Sequence, residues 1–311
     1  MSDFTENTDS LEADASFEQP LRRVAYEAGM LLGLEATRDE QAYHRRRLNR
    51  HQYWLEGYGT LAGMRVGIDP APDENVTDPI TTRVQVGQGI GIDGLGREVL
   101  IREPYGIDLA DWIRAQGATR LYAGYNDTTN VLHLKVTVRH QEVPVGMQPV
   151  LARKLNLSTD AVQPSRTVDS ILLELIPELP PASAETRFHP WAAHDPVADA
   201  TPAGLTGSES DYLETVNNAN ATAGAQLQLH ARLLHCLDDK GISAQLAADE
   251  LEGGARLLLA RIEIDVPDLD ALLETTKEGK PLVNPNDIRV NNLVRPFLVT
   301  ASQLGYLLAN P

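Results

Sequence analysis

Between Thr37 and Glu56 the chain reads TRDEQAYHRRRLNRHQYWLE, polar and basic, with Tyr, Leu and Trp recurring at helical spacing. Thr37 stands three residues before Glu40. That is a capping-box spacing, in which the Thr hydroxyl accepts the Glu40 N–H and the Glu carboxylate reaches back. Asp39 and Glu40 also suit the positive end of a helix dipole. The pattern predicts a helix from Thr37 to about Glu56, stopped at Gly57 and Gly59, which permit the left-handed turn that ends it. Ahead of it, RRVAYEAGMLLG (Arg22 to Gly33) is apolar and reads as a short strand or turn.

The period then changes to two. Leu61 to Ile68 is a strand candidate, followed by a Pro- and Asp-rich loop from Pro70 to Pro79. TTRVQVGQGIGI and REVLI alternate and are joined by Asp93-Gly94-Leu95-Gly96, a hairpin signature. Ile107 to Gly117 reads as a short helix. RLYAGYN and VLHLKVTVRHQE, split by Asp127-Thr128-Thr129-Asn130, predict a second hairpin, and Ser170 to Pro177 a further strand. From Pro180 to about Gly207 the composition turns to Pro, Ala and Ser, as in a linker or long surface loop. Leu213, Val216, Leu227, Leu229, Leu233, Leu234 and Leu237 predict a helix over Glu209 to Asp239, weakened by Gly224. Leu257 to Val266 reads as a strand, and DIRVNNLVRPFLV with SQLGYLLA as a last strand and short helix.

These elements predict an α+β protein with a β-rich central body, an N-terminal docking helix and a helix-containing C-terminal part. The expected divisions are a disordered acidic tail (1–20), the segment with the docking helix (21–59), the β-rich domain (60–180), a linker or long loop (181–207) and a helical or α+β remainder (208–311). No repeat of solenoid or propeller period is present.

Composition narrows the function. The 311 residues are 42% hydrophobic and 5% aromatic, so aliphatic side chains must fill the core. A net charge of −17 disfavours general binding to nucleic acid or anionic membranes, which need a basic surface. The single cysteine, Cys236, excludes an intrachain disulfide and a Cys-rich zinc site. No apolar run approaches the ~18 residues of a membrane span. The first twenty residues lack Lys and Arg, unlike a secretory signal. A cytoplasmic chain is expected, with release inside a particle on lysis as a further route.

Against that acidity, Arg38, His44, Arg45, Arg46, Arg47, Arg50 and His51 cluster on the first helix. Helical spacing would bring Tyr43 beside Arg47, Arg46 beside Arg50, and Arg50 beside Trp54. Arg and aromatic residues are enriched at protein interfaces, where guanidinium forks grip carboxylates. Tyr43, Arg46, Arg47, Arg50, Tyr53, Trp54 and Tyr58 are therefore the candidate partner-binding residues. A solvated face paired with the chain's own carboxylates, and a local nucleic-acid site, are the competing readings.

Gly89-x-Gly91-x-x-Gly94 has the dinucleotide spacing, but the sequence returns into a strand where that motif needs a helix. Asp93, Gly94, Gly96 and Arg97 are read instead as structural turn residues, with Glu98 at the far side, since an Asp opening a turn bonds its own backbone. His189, His194 and Asp195 lie close in sequence, in a stretch too rich in Pro and Ala to hold a metal rigidly. No nucleophile elbow, zinc-protease motif or P-loop appears. No catalytic residue, cofactor or metal is expected.

Four stretches also resemble one family. Val24 to Leu32, Asp39 to His51, Gly57 to Val66 and Gly89 to Val99 are similar to proteins encoded in phage-tail-like gene clusters, which build contractile injection systems related to phage tails and type VI secretion. Arg139-His140-Gln141-Glu142, Pro164-Ser165-Arg166 and Val294-Arg295-Pro296 look similar too. The resemblance implies a non-enzymatic structural component near the baseplate, fibre attachment or sheath end. Its partners would be sheath, tube, baseplate or fibre subunits and further copies of itself, without nucleic acid or a membrane span. Two alternatives stand beside it: a glycan or other ligand reader at a fibre tip, using Trp112, Tyr125 and Trp191, and an enzyme with an unsignposted carboxylate site.

Overall fold

The computed structural model describes residues 23–75, 78–149, 162–182, 206–218, 248–277 and 283–309. The acidic segment 1–20, the linker after residue 182, Trp191, Cys236, the His189–Asp195 cluster and the predicted helix beyond Asn218 lie outside them.

A 23-residue helix, α1 (Leu34–Glu56), leads into three small sheets. The first joins β1 (Gly59–Gly63), β4 (Gly89–Ile92) and β5 (Glu98–Ile101) in the order β1-β4-β5. The second joins β2 (Val66–Asp69), β3 (Arg83–Val86) and β6 (Tyr105–Asp108) in the order β2-β3-β6. The predicted strand Leu61–Ile68 is thus two strands in different sheets. They part at Met64, which is fully buried with φ +53° and donates its N–H to the Gln88 carbonyl at 2.8 Å.

Two helices follow, α2 (Leu109–Ala115) and α3 (Ala118–Tyr122), then β7 (Tyr125–Asn126). Within RLYAGYN, Arg120–Tyr122 is helical, one turn that buries Leu121, against the strand predicted there, whereas Tyr125–Asn126 pairs antiparallel with Val131–Leu132 across Asp127–Asn130, which is the predicted second hairpin. Asp108 caps α2 by accepting the Asp111 N–H at 3.0 Å.

The largest sheet is built on β8 (Val131–Pro149), paired along one edge by β10 (Leu257–Asp265) and along the other first by β7 and then by β9 (Val162–Pro177). β11 (Ile288–Asn291) closes the far side of β10. β10 is the centre of the core. Its run LLLARIEI is buried nearly throughout, as suits a strand covered on both faces. Leu257, Leu259, Ile262 and Ile264 pack with Val99, Ile101, Leu132, Leu134 and Leu175 from the neighbouring strands. Arg261, itself buried, reaches Glu178 at 2.8 Å, so the cation in this run is paired at the end of β9.

β8 and β9 run well past the limits read from sequence, through Pro144 and Pro164. β10 leaves β8 at Val138, and beyond it one side of β8 has no strand among the described residues. A proline, with no N–H to give, is tolerated on such an edge. The result is a two-stranded ribbon extending from the body, with Val143, Met147 and Val168 exposed on it.

The remaining described helices are α4 (Gly207–Asn218), α5 (Ala248–Ala255), α6 (Leu269–Lys277) and α7 (Ala301–Ala309). The stretch between β11 and α7 is stitched back onto the start of the body. Thr60 bridges Phe297 in parallel, with Thr60 N to Pro296 O at 2.9 Å and Leu298 N to Thr60 O at 3.0 Å. Asn292 both accepts from and donates to the Val66 backbone at 2.9 Å. Arg295 donates to the carbonyls of Gly63 and Met64 and to Asn292. Mixed α+β architecture, a β-rich body and a helix at either end are thus the observed arrangement.

His133 supplies a pH handle on this sheet. Burial pulls its pKa below the usual histidine value, outweighing Glu263 opposite it on β10, while Arg261 and Arg289 add to the depression. The unfolded chain takes up that proton near pH ~6.5 and the folded chain only lower. The unfolded state then binds more protons, so stability falls as pH drops below that value. Melting temperatures compared at pH 7.5 and 5.5 should show this decline, and His133→Gln should flatten it.

Candidate interaction surface

The site is assembled on a turn. Asp93 opens the β4–β5 hairpin and is fully buried. Its Oδ1 accepts the N–H groups of Leu95 and Arg97, each at 2.9 Å, and its Oδ2 accepts Arg97 Nε at 2.8 Å. Burial pushes the Asp93 carboxyl upward from its ordinary range, and the Arg97 guanidinium pulls it back. Glu98 is exposed on β5 opposite Ile92, so Arg97 is the residue that answers Asp93 across the turn. Gly94, Leu95 and Gly96 are buried as well, which a hairpin tip normally is not.

Two elements cover this tip. From α5, the Gly254 carbonyl accepts the Gly94 N–H at 2.8 Å. From α1, the Asn49 backbone lies so close that a Cβ on Gly96 would sit 2.0 Å from its carbonyl oxygen. Gly96 also has φ +77°. Glycine is required there twice over, by conformation and by contact. Gly89, the first glycine of the dinucleotide-like run, has a related role: a Cβ there would meet the Met64 nitrogen at 2.3 Å. The run lies along β4 and ends in the turn, after which the chain returns into β5.

The helix begins at Leu34 with Gly33 as its N-cap. Thr37 is inside the first turn and donates its hydroxyl to the Gly33 carbonyl at 3.3 Å, so the predicted capping box does not form. Glu40 is engaged elsewhere, accepting the Val24 N–H at 2.9 Å, which holds its pKa down and ties the preceding arm to the helix. The arm itself is a turn at Ala28-Gly29 without a strand. The helix stops at Glu56, with Gly57 at φ +79° donating to the Tyr53 carbonyl.

α1 has two faces, and the predicted partner-binding residues divide between them. Asn49 and Tyr53 are buried, and Tyr43 and Arg46 half-buried, so this row turns inward. Tyr53 stacks on the half-buried Tyr58, ring centroids 6.2 Å apart and nearly parallel. Tyr53 is thus committed inside the subunit and is not an outward anchor. Arg47 and Arg50 are exposed, with Arg47 Nη1 donating to the Tyr43 hydroxyl at 2.9 Å. The side chain of Trp54 is outside the described set.

What the sequence reading passed over is the apolar content of the outer face. Leu34, Leu48 and Leu55 are 66%, 56% and 68% exposed, at multiples of seven residues along one helix, and Leu31 in the arm is 96% exposed. The heptad spacing of these leucines is itself a signal in the sequence, set among the arginines. Past the end of α1, Leu298 lies near Gly57, and Phe297, Leu298, Val299 and Tyr306 line an open apolar groove of about 520 Å³. Phe297 and Tyr306 are largely exposed. On the other side, Arg45 Nη1 lies 3.9 Å from Glu142 on the ribbon. There His140, Glu142 and Asp169 bring donor atoms within 4.8 Å of one another, an arrangement that could hold a cation.

Trp112 and Tyr125 pack against the core, and the Tyr125 hydroxyl donates to the Val266 carbonyl at 2.9 Å. They do not form an outward aromatic platform. Among the described residues, no helix is long and apolar enough to cross a membrane.

No family model matches the chain, and no curated protein matches it. Among solved structures, the TssK-TssF-TssG baseplate subcomplex of the type VI secretion system is similar at 11% identity and a TM-score of 0.24, over 86% of this chain and 83% of that one. A score of that size does not identify a common fold.

Removing one partner of the buried pair should be costly. Asp93→Asn leaves Arg97 charged and uncompensated, at an expected loss of about 3–5 kcal/mol by urea unfolding. Asp93→Asn with Arg97→Met should recover part of it. Gly96→Ala should cost about 3 kcal/mol, through positive φ and the close Asn49 carbonyl. A loss under about 0.5 kcal/mol in either single variant would show that the turn does not carry α1.

Proposed function

We propose that this chain is a non-catalytic structural component of a contractile injection particle, of baseplate type, and that it assembles with neighbouring particle proteins through the outer face of α1. The observation that carries the reading is the row of exposed leucines, Leu34, Leu48 and Leu55, on a rigidly mounted helix. Leu48 and Leu55 stand two turns apart, about 10 Å, on one side of the helix, and an exposed apolar strip marks a contact site. The resemblance of Asp39–His51 and Gly89–Val99 to proteins of phage-tail-like clusters supports the particle as the setting. It is notable that these two stretches are the ones that meet, at Asn49 and Gly96.

The mechanism is assembly by mass action. Leu48 and Leu55 bury apolar area against the neighbour. Arg47, on the flank of these leucines, meets a carboxylate on it and sets the orientation, since charge complementarity governs register and association rate more than raw affinity. The groove beside the C-terminal end of α1 extends the same surface.

The test is co-sedimentation of the chain with native particles. Arg47→Glu with Leu48→Ser should reduce incorporation at least tenfold while leaving stability within the ordinary range for surface substitutions, about 0.5 kcal/mol. Arg46 is unsuitable because it turns inward. Normal incorporation of the double variant would sink the docking claim.

A further inference from the structure

We propose that His140 and Glu142 of β8 and Asp169 of β9 form a binding site for a zinc-class divalent cation, which clamps the two strands of the ribbon where it leaves the body.

Strand pairing assembles the donors. His140 and Glu142 are two apart on β8 and so share one face of the ribbon, and Asp169 stands directly opposite Glu142 in the antiparallel register. The three offer one imidazole nitrogen and two carboxylate oxygens, all within 4.8 Å of one another. His140 Nε2 lies 3.9 Å from Asp169 Oδ1. No short spacing in the sequence announces such a set, because the register of two strands creates it.

The charges of the cluster call for a cation. Two carboxylates directly opposite each other on paired strands repel. Arg45 stands 3.9 Å from Glu142, with both side chains about half exposed, and an ion pair of that kind contributes little. Neither carboxylate makes a hydrogen bond among the described residues, so their lone pairs are available. A divalent ion between them turns the repulsion into attraction, and two carboxylates with a neutral imidazole balance its charge.

The donor types select the metal. Magnesium and calcium take oxygen ligands, whereas zinc accepts imidazole and carboxylate together, at ~2.0–2.2 Å. Donors in a tetrahedral zinc shell stand ~3.3–3.5 Å apart, so the three must close by about an ångström. The His140 side chain is 16% exposed and is the fixed member, while Asp169, 87% exposed, is free to turn toward it. The remaining coordination position faces solvent and takes water.

Location gives the site its consequence. β10 leaves β8 at Val138, two residues before His140, and from there β9 is the partner of β8 among the described residues. Two strands alone are marginally stable. A cation bridging them just past the last support of β10 stiffens the ribbon that carries the exposed Val143, Met147 and Val168.

The experiment titrates Zn²⁺ alone, by calorimetry at pH 7.5, into the full chain after treatment with a chelator and dialysis. The same titration is made on Asp169→Asn, His140→Gln and Arg45→Gln. Asp169→Asn and His140→Gln should each weaken one site at least tenfold, whereas any zinc held by the other histidines is common to all the chains. Arg45→Gln removes a competing cation and should tighten that site about threefold, the size of an exposed ion pair. Zn²⁺ should slow hydrogen exchange across Val143–Met147 at least tenfold in the unaltered chain and leave Asp169→Asn as it was. Because Asp169 is so exposed, its amide variant should keep the metal-free melting temperature, which separates loss of a ligand from loss of the fold. Equal Zn²⁺ isotherms for the unaltered chain and Asp169→Asn, Mg²⁺ bound as tightly as Zn²⁺, or ribbon exchange indifferent to Zn²⁺ would overturn the proposal.

Discussion

The buried carboxylate of Asp93 is the constraint on which the arrangement turns. A hairpin tip ordinarily faces water, where its unpaired backbone groups are solvated. Here Asp93 satisfies two of those groups and the Arg97 Nε from within, so the tip can be covered, although Arg97 Nη2 is buried with no hydrogen-bond partner among the described residues. Once covered, it becomes a seat. α1 lies on one side of it at Asn49 and α5 on another at Gly254, and a single Cβ on Gly96 would lift the helix away. Such a pair adds little net stability compared with an apolar replacement, but it is costly to break by halves. Its contribution is positional: it fixes which face of α1 looks inward.

That fixed orientation gives the outer face its meaning. A mobile helix could bury its leucines by rotating. α1 cannot, because Asn49 and Tyr53 are held in the body and the Val24–Glu40 hydrogen bond pins its beginning. The exposed leucines are left for another surface. The stitch from Asn292 to Leu298 works in the same sense at the other end, where it locks the start of β1 and sets the apolar groove beside the helix terminus.

Local signals in the sequence were legible where the deciding interactions are local. The Asp-Gly hairpin, the end of α1 at Gly57, the short helix after Asp108 and the apolar run of β10 are written within a few residues of themselves. The failures have non-local causes. Glu40 looked like a capping residue but is taken by Val24, sixteen positions away. Leu61–Ile68 looked continuous, yet Met64 turns because Gln88 claims its N–H. The strands β8 and β9 continue through prolines because the neighbouring edge is open, which no local propensity records. For the site, the residue types on α1 were readable but the burial of Tyr53 was not, since the helical period gives spacing without saying which side faces the body. The part played by Arg295, more than 230 positions from the carbonyls it binds, has no local signal at all.

Contact between the outer face of α1 and another particle protein, as proposed, can be tested in place. The direct measurement is site-specific photocrosslinking inside assembled particles, with a photoreactive residue at Leu55 and a control at the exposed Glu103. A covalent adduct to a distinct particle protein is expected from Leu55 and none of that mass from Glu103. The same adducts from both positions, or none from Leu55 in intact particles, would contradict it.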